Sequence, residues 1–218
     1  MKNLNTHFFI NFMESKILVV PKKVLFEEGY FEGFIHFKEK KEYLTKILKN
    51  SVYKKRTEKL ENNPSLKQII PYVWIINPKT KKVFVYKRSS DKKYTEPRLW
   101  NFVSCGVGGH IEKNDEENPI ENAMMRELKE EISMEKYPTP KIIGYLNLDC
   151  GNAEKFHFGI IAVAETEEEI KLNEGEIVEG KFMKIEELEK LFNEPNSNVE
   201  SWTKVSWPFV KNYFLSNA

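Results

Sequence analysis

The residues Arg126-Glu127-Leu128-Lys129-Glu130-Glu131 place three carboxylates at spacings i, i+3 and i+4. On a helix these spacings bring the side chains onto one face, where three like charges repel one another. Such a cluster is kept where a polyvalent cation sits among the carboxylates. Ligands that are all oxygen favour a hard ion, Mg²⁺ first and Mn²⁺ as a substitute. At about 100° per residue from Ile120, the positions Ile120, Ala123, Met124, Leu128 and Ile132 form one apolar stripe. Glu127 and Glu131 fall within that stripe and Glu130 lies at its edge. Carboxylates on a core-facing stripe are costly unless paired or coordinated, so the segment reads as a metal site at the heart of an active site.

The elements that must position these carboxylates are also readable. Asn118 suits an N-cap, Pro119 the first helical position, and Glu121 the capping-box position. Upstream, Gly106, Gly108 and Gly109 follow a strand-like segment, Leu99 to Cys105, and precede a loop into the acidic helix. Glycines let backbone approach a ligand closely. The acidic run alone would fit a solvated surface helix; a strand, a glycine turn, a loop and a metal-binding helix together read as a phosphate-and-metal site.

The run Gly108 to Met134 resembles a Nudix box, the signature G-x5-E-x7-R-E-U-x-E-E-x-G-U of the Nudix (MutT-type) hydrolases. Gly109 matches the opening glycine, and Arg126, Glu127, Leu128, Glu130 and Glu131 match the central motif. The stretch between Gly109 and Arg126 is about three residues longer than the pattern, so Asp115, Glu116 and Glu117 compete for the early acidic position. Ser133 stands where a glycine would end the helix. GVGGHI, the segment SLKQIIPYVWI (Ser65 to Ile75) and the F-x-F-G strand at Phe156 to Gly159 are similar to a branch described as MutT-type phosphoesterases.

The resemblance implies an α/β (α+β) fold: a Nudix-like α/β/α sandwich with a central mixed β-sheet and an N-terminal extension. It also implies a Mg²⁺-dependent hydrolase acting on a diphosphate linkage between a nucleoside diphosphate and another moiety. Carried over by position, Glu127, Glu130 and Glu131 bind the metal with the Gly108 carbonyl. Arg126 holds the glutamates by charge-assisted hydrogen bonds. Glu131 or Glu130 serves as base, or else a carboxylate of a later loop, Glu174, Glu176 or Glu179. Substrate contacts are expected from Lys87 and Arg88 on a strand beside the box, from Arg98, Trp100 and Gly109, and from Phe156; core packing competes for each aromatic. His110 and His157 read as structural. ADP-ribose, a dinucleoside polyphosphate, a nucleotide sugar, coenzyme A and a damaged nucleoside triphosphate all satisfy the box.

Two other readings share the fold. An isopentenyl-diphosphate-isomerase-like enzyme is suggested by Trp100-Asn101-Phe102-Val103-Ser104-Cys105-Gly106, but that isomerase does not keep this intact acidic helix. A catalytically silent, nucleotide-sensing module typically loses box glutamates, and all three are present.

The rest of the chain bounds these expectations. At 218 residues and 40% hydrophobic content it can bury a core. A formal net charge of +1 argues against stable nucleic-acid binding. Residues 1–70 hold 14 Lys/Arg against 8 Asp/Glu, an excess read as a solvated helical face. Two cysteines exclude a disulfide framework and suggest a reducing, cytoplasmic compartment. No run has the length of a membrane span. Residues 1–65 are expected as an accessory segment, with 1–12 a disordered extension before an alternative start at Met13, and 66–218 as the hydrolase domain. The accessory segment would lid the pocket, build a homodimer interface or extend the core. Strands are expected at Lys16–Val20, Gln68–Ile76, Lys82–Lys87, Lys141–Asp149, Phe156–Glu165 and Gly180–Lys184. Helical character is expected over Lys38–Leu60, Ile185–Phe192 and Glu200–Leu215.

Overall fold

The structure is a computed structural model and describes residues 15–90, 99–151, 154–173, 175, 177–195 and 197–216. Its elements are β1 (Lys16–Pro21), α1 (Lys22–Leu25), β2 (Gly33–His36), α2 (Glu42–Asn50), β3 (Val52–Lys55), α3 (Glu58–Glu61), β4 (Leu66–Asn77), β5 (Lys82–Arg88), β6 (Val103–Ser104), β7 (Gly106–Val107), α4 (Pro119–Glu131), β8 (Ile132–Ser133), β9 (Lys141–Asn147), β10 (His157–Glu165), β11 (Lys171–Leu172), β12 (Ile177–Lys184), α5 (Ile185–Asn193) and α6 (Ser201–Ser216). It is a mixed α/β fold with a central mixed sheet in the order β12-β5-β4-β10-β9-β2. β4 and β10 have partners on both sides, and they are buried almost without interruption. Central strands covered on both faces read as continuous apolar runs, whereas β12, with one neighbour in the sheet order, carries mostly exposed or half-exposed residues.

The chain divides into two compact units. One comprises Met1–Pro71, Gly109–Ala123 and Gly144–Ile160; the other comprises Tyr72–Gly108, Met124–Ile143 and Ile161–Ala218. In the first, β1 pairs antiparallel with β3, Lys16 opposite Lys55, and with β4, Val19 opposite Gln68. β2 pairs with β9 from Gly33–Asn147 to His36–Gly144. Ile17, Val19, Leu60 and Leu66 pack together, and Tyr43 lies 5.2 Å from Tyr145 and 5.5 Å from Phe158, ring centre to ring centre. Residues 15–65 thus share a unit with parts of β4, β9 and β10. Within Lys38–Leu60 only α2 and α3 are helical. The short β3 intervenes because β-branched and aromatic Val52 and Tyr53 pair with β1, and that pairing outweighs the helix preference of the neighbouring lysines.

In the second unit β5 pairs antiparallel with the end of β4 as a hairpin, with Ile76 opposite Val83. The strand expected over Leu99–Cys105 is reduced to Val103–Ser104. The chain changes partner at Cys105: Ser104 lies opposite Tyr86 on β5, while Gly106 lies opposite Trp74 on β4. The α6 helix presents Trp202, Thr203, Ser206, Trp207, Val210 and Phe214 as its buried stripe. Trp207 stacks on Trp74 at 5.8 Å, and the Trp74 indole N–H donates to Ser206 Oγ at 3.1 Å. No described helix is long and apolar enough to cross a membrane. Residues 1–12 lie outside the described residues.

Candidate active site

The acidic helix forms where expected. The Asn122 amide donates to Asn118 O at 2.9 Å, the first α-helical bond of α4, which makes Asn118 the N-terminal boundary residue ahead of Pro119. Ile120, Ala123, Met124 and Leu128 are buried, as the stripe predicts. The preceding loop is organised by Asp115. Its buried carboxylate accepts the Glu112 N–H at 2.7 Å, and Asn122 Nδ2 donates to Glu116 O at 2.6 Å. Of the three residues competing for the early acidic position, Asp115 is therefore engaged within the loop, whereas Glu116 and Glu117 are exposed.

The far end of the helix has no glycine stop and is closed from another segment. Asn173 Nδ2 donates to Lys129 O at 2.9 Å and Glu130 O at 3.3 Å, the Asn173 amide donates to Glu131 O at 3.1 Å, and the Tyr137 hydroxyl donates to Ile132 O at 2.8 Å. These donors satisfy carbonyls that a helix end otherwise leaves without intrahelical partners. β8 then pairs with β11, Ile132 opposite Leu172 and Ser133 opposite Lys171. The clamp brings Gly175 beside the box: a β-carbon there would lie 3.8 Å from Glu131 Oε2. Glu174 and Glu176, the loop carboxylates named above, lie outside the described residues; Glu179 sits exposed on β12, opposite Lys87.

On the helix face, Arg126 Nη1 donates to Glu127 Oε1 at 2.7 Å and Glu130 Oε2 at 3.1 Å. The Oε2 atom of Glu131 is buried. By donor chemistry the three carboxylates fit a hard divalent cation, which would offset the desolvation of a buried anionic oxygen. Among the described residues no three His, Cys, Asp or Glu side chains gather closely enough to hold an ion. Two of the carboxylates, Glu127 and Glu130, are instead engaged by the Arg126 guanidinium.

The glycines divide in role. A β-carbon at Gly106 would overlap the Tyr72 ring, so this residue is glycine for packing. Positive φ among the described glycines occurs at Gly29, Gly33 and Gly151, outside this turn. Gly108 and Gly109 follow β7 and are half-exposed.

The expected substrate residues are placed unevenly. Lys87 is exposed. Arg88, by contrast, donates from Nε to Glu200 Oε1 at 2.7 Å. Glu200 is buried and its Oε2 also accepts from Ser104 Oγ at 2.6 Å and the Tyr72 hydroxyl at 2.8 Å. Arg88 thus belongs to a buried polar network that ties β4, β5 and β6 to the start of α6. Trp100 is half-buried, and its indole nitrogen is a buried donor with no hydrogen-bond partner. Phe156 is buried, as core packing requires, and Arg98 lies outside the described residues. Cys105 is buried, its amide donates to Thr203 Oγ1 at 3.1 Å, and burial pushes its thiol well above the usual range, which does not suit acid–base work in an isomerase. Sequence reasoning missed Glu200 and Asn173. Nothing local marks Glu200, whose partners lie far away in the chain; the only hint of Asn173 was the serine in place of a helix-ending glycine.

No curated protein sequence matches the chain. Among solved structures, Tm1382, described as a candidate Nudix hydrolase, is 26% identical, with a TM-score of 0.72 over 91% of this chain and 99% of that one. A bifunctional NMN adenylyltransferase/ADP ribose pyrophosphatase from Francisella tularensis, solved with AMP and a manganese ion, is 10% identical, with a TM-score of 0.51 over 68% of this chain and 42% of that one; it shares the fold. The NUDIX domain family model matches residues 67–203. With the box on α4, the match over most of its length and the likeness to Tm1382, the chain belongs to the Nudix family of hydrolases.

Proposed function

We propose that the protein is a divalent-metal-dependent diphosphatase that cleaves the diphosphate linkage of a nucleoside diphosphate joined to another group, with Mg²⁺ as the cation and Mn²⁺ as its substitute. The observation that carries this reading is the state of the α4 carboxylates. Glu127, Glu130 and Glu131 share one end of a helix, Arg126 bridges two of them, and Asn173 and Tyr137 hold that end in place. Glu127, Glu130, Glu131 and the Gly108 carbonyl would hold the divalent cation, whose chemistry there would be to offset phosphate charge and make water more acidic. Arg126 orients Glu127 and Glu130 through charge-assisted hydrogen bonds. Glu131, beside Gly175, is the candidate base that takes a proton from the attacking water. Glu130 is the alternative base.

Lys87, Trp100 and Gly109 remain proposed substrate contacts, while the Arg88–Glu200 pair supports a positioning role for Arg88. The AMP and manganese in the Francisella structure are consistent with a nucleotide-like substrate and a divalent ion, although that likeness speaks to fold. Release of phosphate or nucleotide is the test, measured from a panel of diphosphate-linked compounds with Mg²⁺, Mn²⁺ or EDTA. Turnover that needs metal and is lost in Glu131→Gln supports the reading; turnover indifferent to both contradicts it.

A further inference from the structure

Between β6 and β7 the chain leaves β5 for β4 at Cys105, and three residues later it reaches Gly108, whose carbonyl is the proposed metal ligand. One side chain holds this crossing by its backbone. The Tyr86 hydroxyl donates to Gly106 O at 2.6 Å, and Tyr86 itself lies opposite Ser104 in the β5–β6 pairing. Ser104 Oγ lies 3.3 Å from the same carbonyl but 2.6 Å from Glu200 Oε2, so Tyr86 is the closer donor. Gly106 is opposite Trp74 and the buried Val107 is opposite Val73. β7 ends there, and Gly108 follows it half-exposed.

The ring and the hydroxyl of Tyr86 do different things. The ring is buried, with the Phe84 ring centre 6.2 Å away, and belongs to the core. The hydroxyl is committed to one backbone carbonyl. Burial raises its pKa above the ordinary tyrosine value against the pull of Arg88, and the charges of Glu200 and Glu131 add to the effect of burial. It is therefore a constant donor at neutral pH. Tyr86, Gly108 and Glu131 all belong to the same compact unit. Tyr72, equally buried, offers a contrast: its hydroxyl meets the side chains of Ser104, Glu200 and Thr203 at 2.9, 2.8 and 2.7 Å. A carbonyl ligand has no side-chain torsion of its own, so the backbone dihedrals on either side of it set its aim. Gly108 and Gly109 leave those dihedrals free. The nearest fixed points upstream are the Val107 pairing and the Gly106 carbonyl under Tyr86.

We infer that Tyr86 is a positioning residue for the metal site: by holding Gly106 O, its hydroxyl fixes the direction in which the Gly108 carbonyl is presented to the cation. This rests on the diphosphatase reading and deepens it by assigning part of the metal affinity to a residue outside the box. Groups that orient a metal's ligands without touching the ion commonly carry about tenfold or more in affinity.

The test is titration of the full chain with Mn²⁺ in the absence of substrate, followed by electron paramagnetic resonance of the free ion, for wild type, Tyr86→Phe, Tyr72→Phe and Glu131→Gln. The unfolding midpoint of each is read by urea denaturation. Tyr86→Phe keeps the ring, loses the hydroxyl and should weaken Mn²⁺ binding about tenfold. Tyr72→Phe deletes a hydroxyl with three side-chain partners; it should lower the unfolding midpoint at least as much and leave the Mn²⁺ affinity of the folded protein nearly unchanged. In turnover, Tyr86→Phe should need about tenfold more Mg²⁺ and regain most of the wild-type rate once the metal saturates, a recovery that a loss of stability alone does not give. Mn²⁺ affinity equal in Tyr86→Phe and wild type, or weakened equally in the two phenylalanine variants, would overturn the positioning role. Failure of the diphosphatase reading is a separate result: a wild type that binds no Mn²⁺, or binding that Glu131→Gln leaves intact, removes that reading and this inference together.

Discussion

Two arginine–glutamate assemblies lie in the same compact unit and differ in every respect that matters. Glu200 is buried and Arg88 half-buried, with side chains 6% and 13% exposed, and Glu200 also accepts from Ser104 and Tyr72. Arg126, Glu127 and Glu130 are 24%, 12% and 55% exposed, and one guanidinium is shared between two carboxylates, with the Glu131 carboxylate beyond them. The first is a saturated network that fixes a chain crossing between strands. The second gathers carboxylates at one helix end around a single bridging arginine. A buried carboxylate surrounded by donors stabilises a fold; three carboxylates at one helix end suit the divalent cation proposed for them.

Substitutions sharpen that contrast, and the largest effect should come from the saturated pair. Glu200→Ala removes the buried acceptor shared by Arg88, Ser104 and Tyr72 and should cost about 3–5 kcal/mol of stability, read by urea denaturation. A loss near zero would mean that the network is dispensable. Glu131→Gln should behave in the opposite way. It should remove at least about 2.7 kcal/mol of transition-state stabilisation, on the order of a hundredfold in rate, with little change in the unfolding midpoint.

The cation side of the comparison is carried by Lys67, which is wholly buried and lies 3.8 Å from the Asp149 carboxylate. Burial lowers its pKa from 10.5 to about 8. Below pH 8 the lysine is charged in both folded and unfolded chains and the cost of burying that charge is present in full. Between pH 8 and about 9 the unfolded chain binds more protons, so stability should rise with pH, by an amount on the order of 1 kcal/mol. Above about pH 9 buried tyrosines reverse the slope: Tyr43 is pushed up to about 12 by burial and keeps its proton in the fold as an unfolded tyrosine loses it. Lys67→Met should abolish the rise, and denaturation curves at pH 7, 8, 9 and 10 would show whether it does.

Smaller effects probe the support around the box. Asn173→Ala removes the side-chain donors to Lys129 O and Glu130 O, and should cost about 1 kcal/mol of stability. It should also weaken Mn²⁺ binding measured by calorimetry, since the helix end that presents Glu130 and Glu131 is then less firmly held. Cys105→Ala should leave diphosphate turnover nearly intact; abolished turnover would return weight to the isomerase reading.

Local pattern revealed the parts of the molecule that are local. The 3.6-residue stripe from Ile120 to Ile132, the hairpin at Asn77-Pro78-Lys79 and the long apolar β4 and β10 all follow from neighbours in the chain. What the pattern hid depends on distant partners. Arg88 on a strand end looks like a phosphate ligand until Glu200 closes on it, and Gly106 looks like part of a phosphate cradle until the Tyr72 ring occupies the space of its side chain. Likewise β3, in a lysine-rich stretch, becomes a strand through β1, and a serine can replace the glycine after the box because Asn173 closes the helix from 40 residues downstream of it.

The most direct test of the central claim is metal-dependent release of product from a diphosphate-linked substrate by the wild type, Glu131→Gln and Glu200→Gln, each assayed with Mg²⁺ and with EDTA at matched folded concentration. Mg²⁺-dependent turnover should fall about a hundredfold in Glu131→Gln and stay within a few-fold of wild type per folded molecule in Glu200→Gln. Equal losses in both variants, or turnover that persists in EDTA, would contradict the assignment of α4 as the reacting centre.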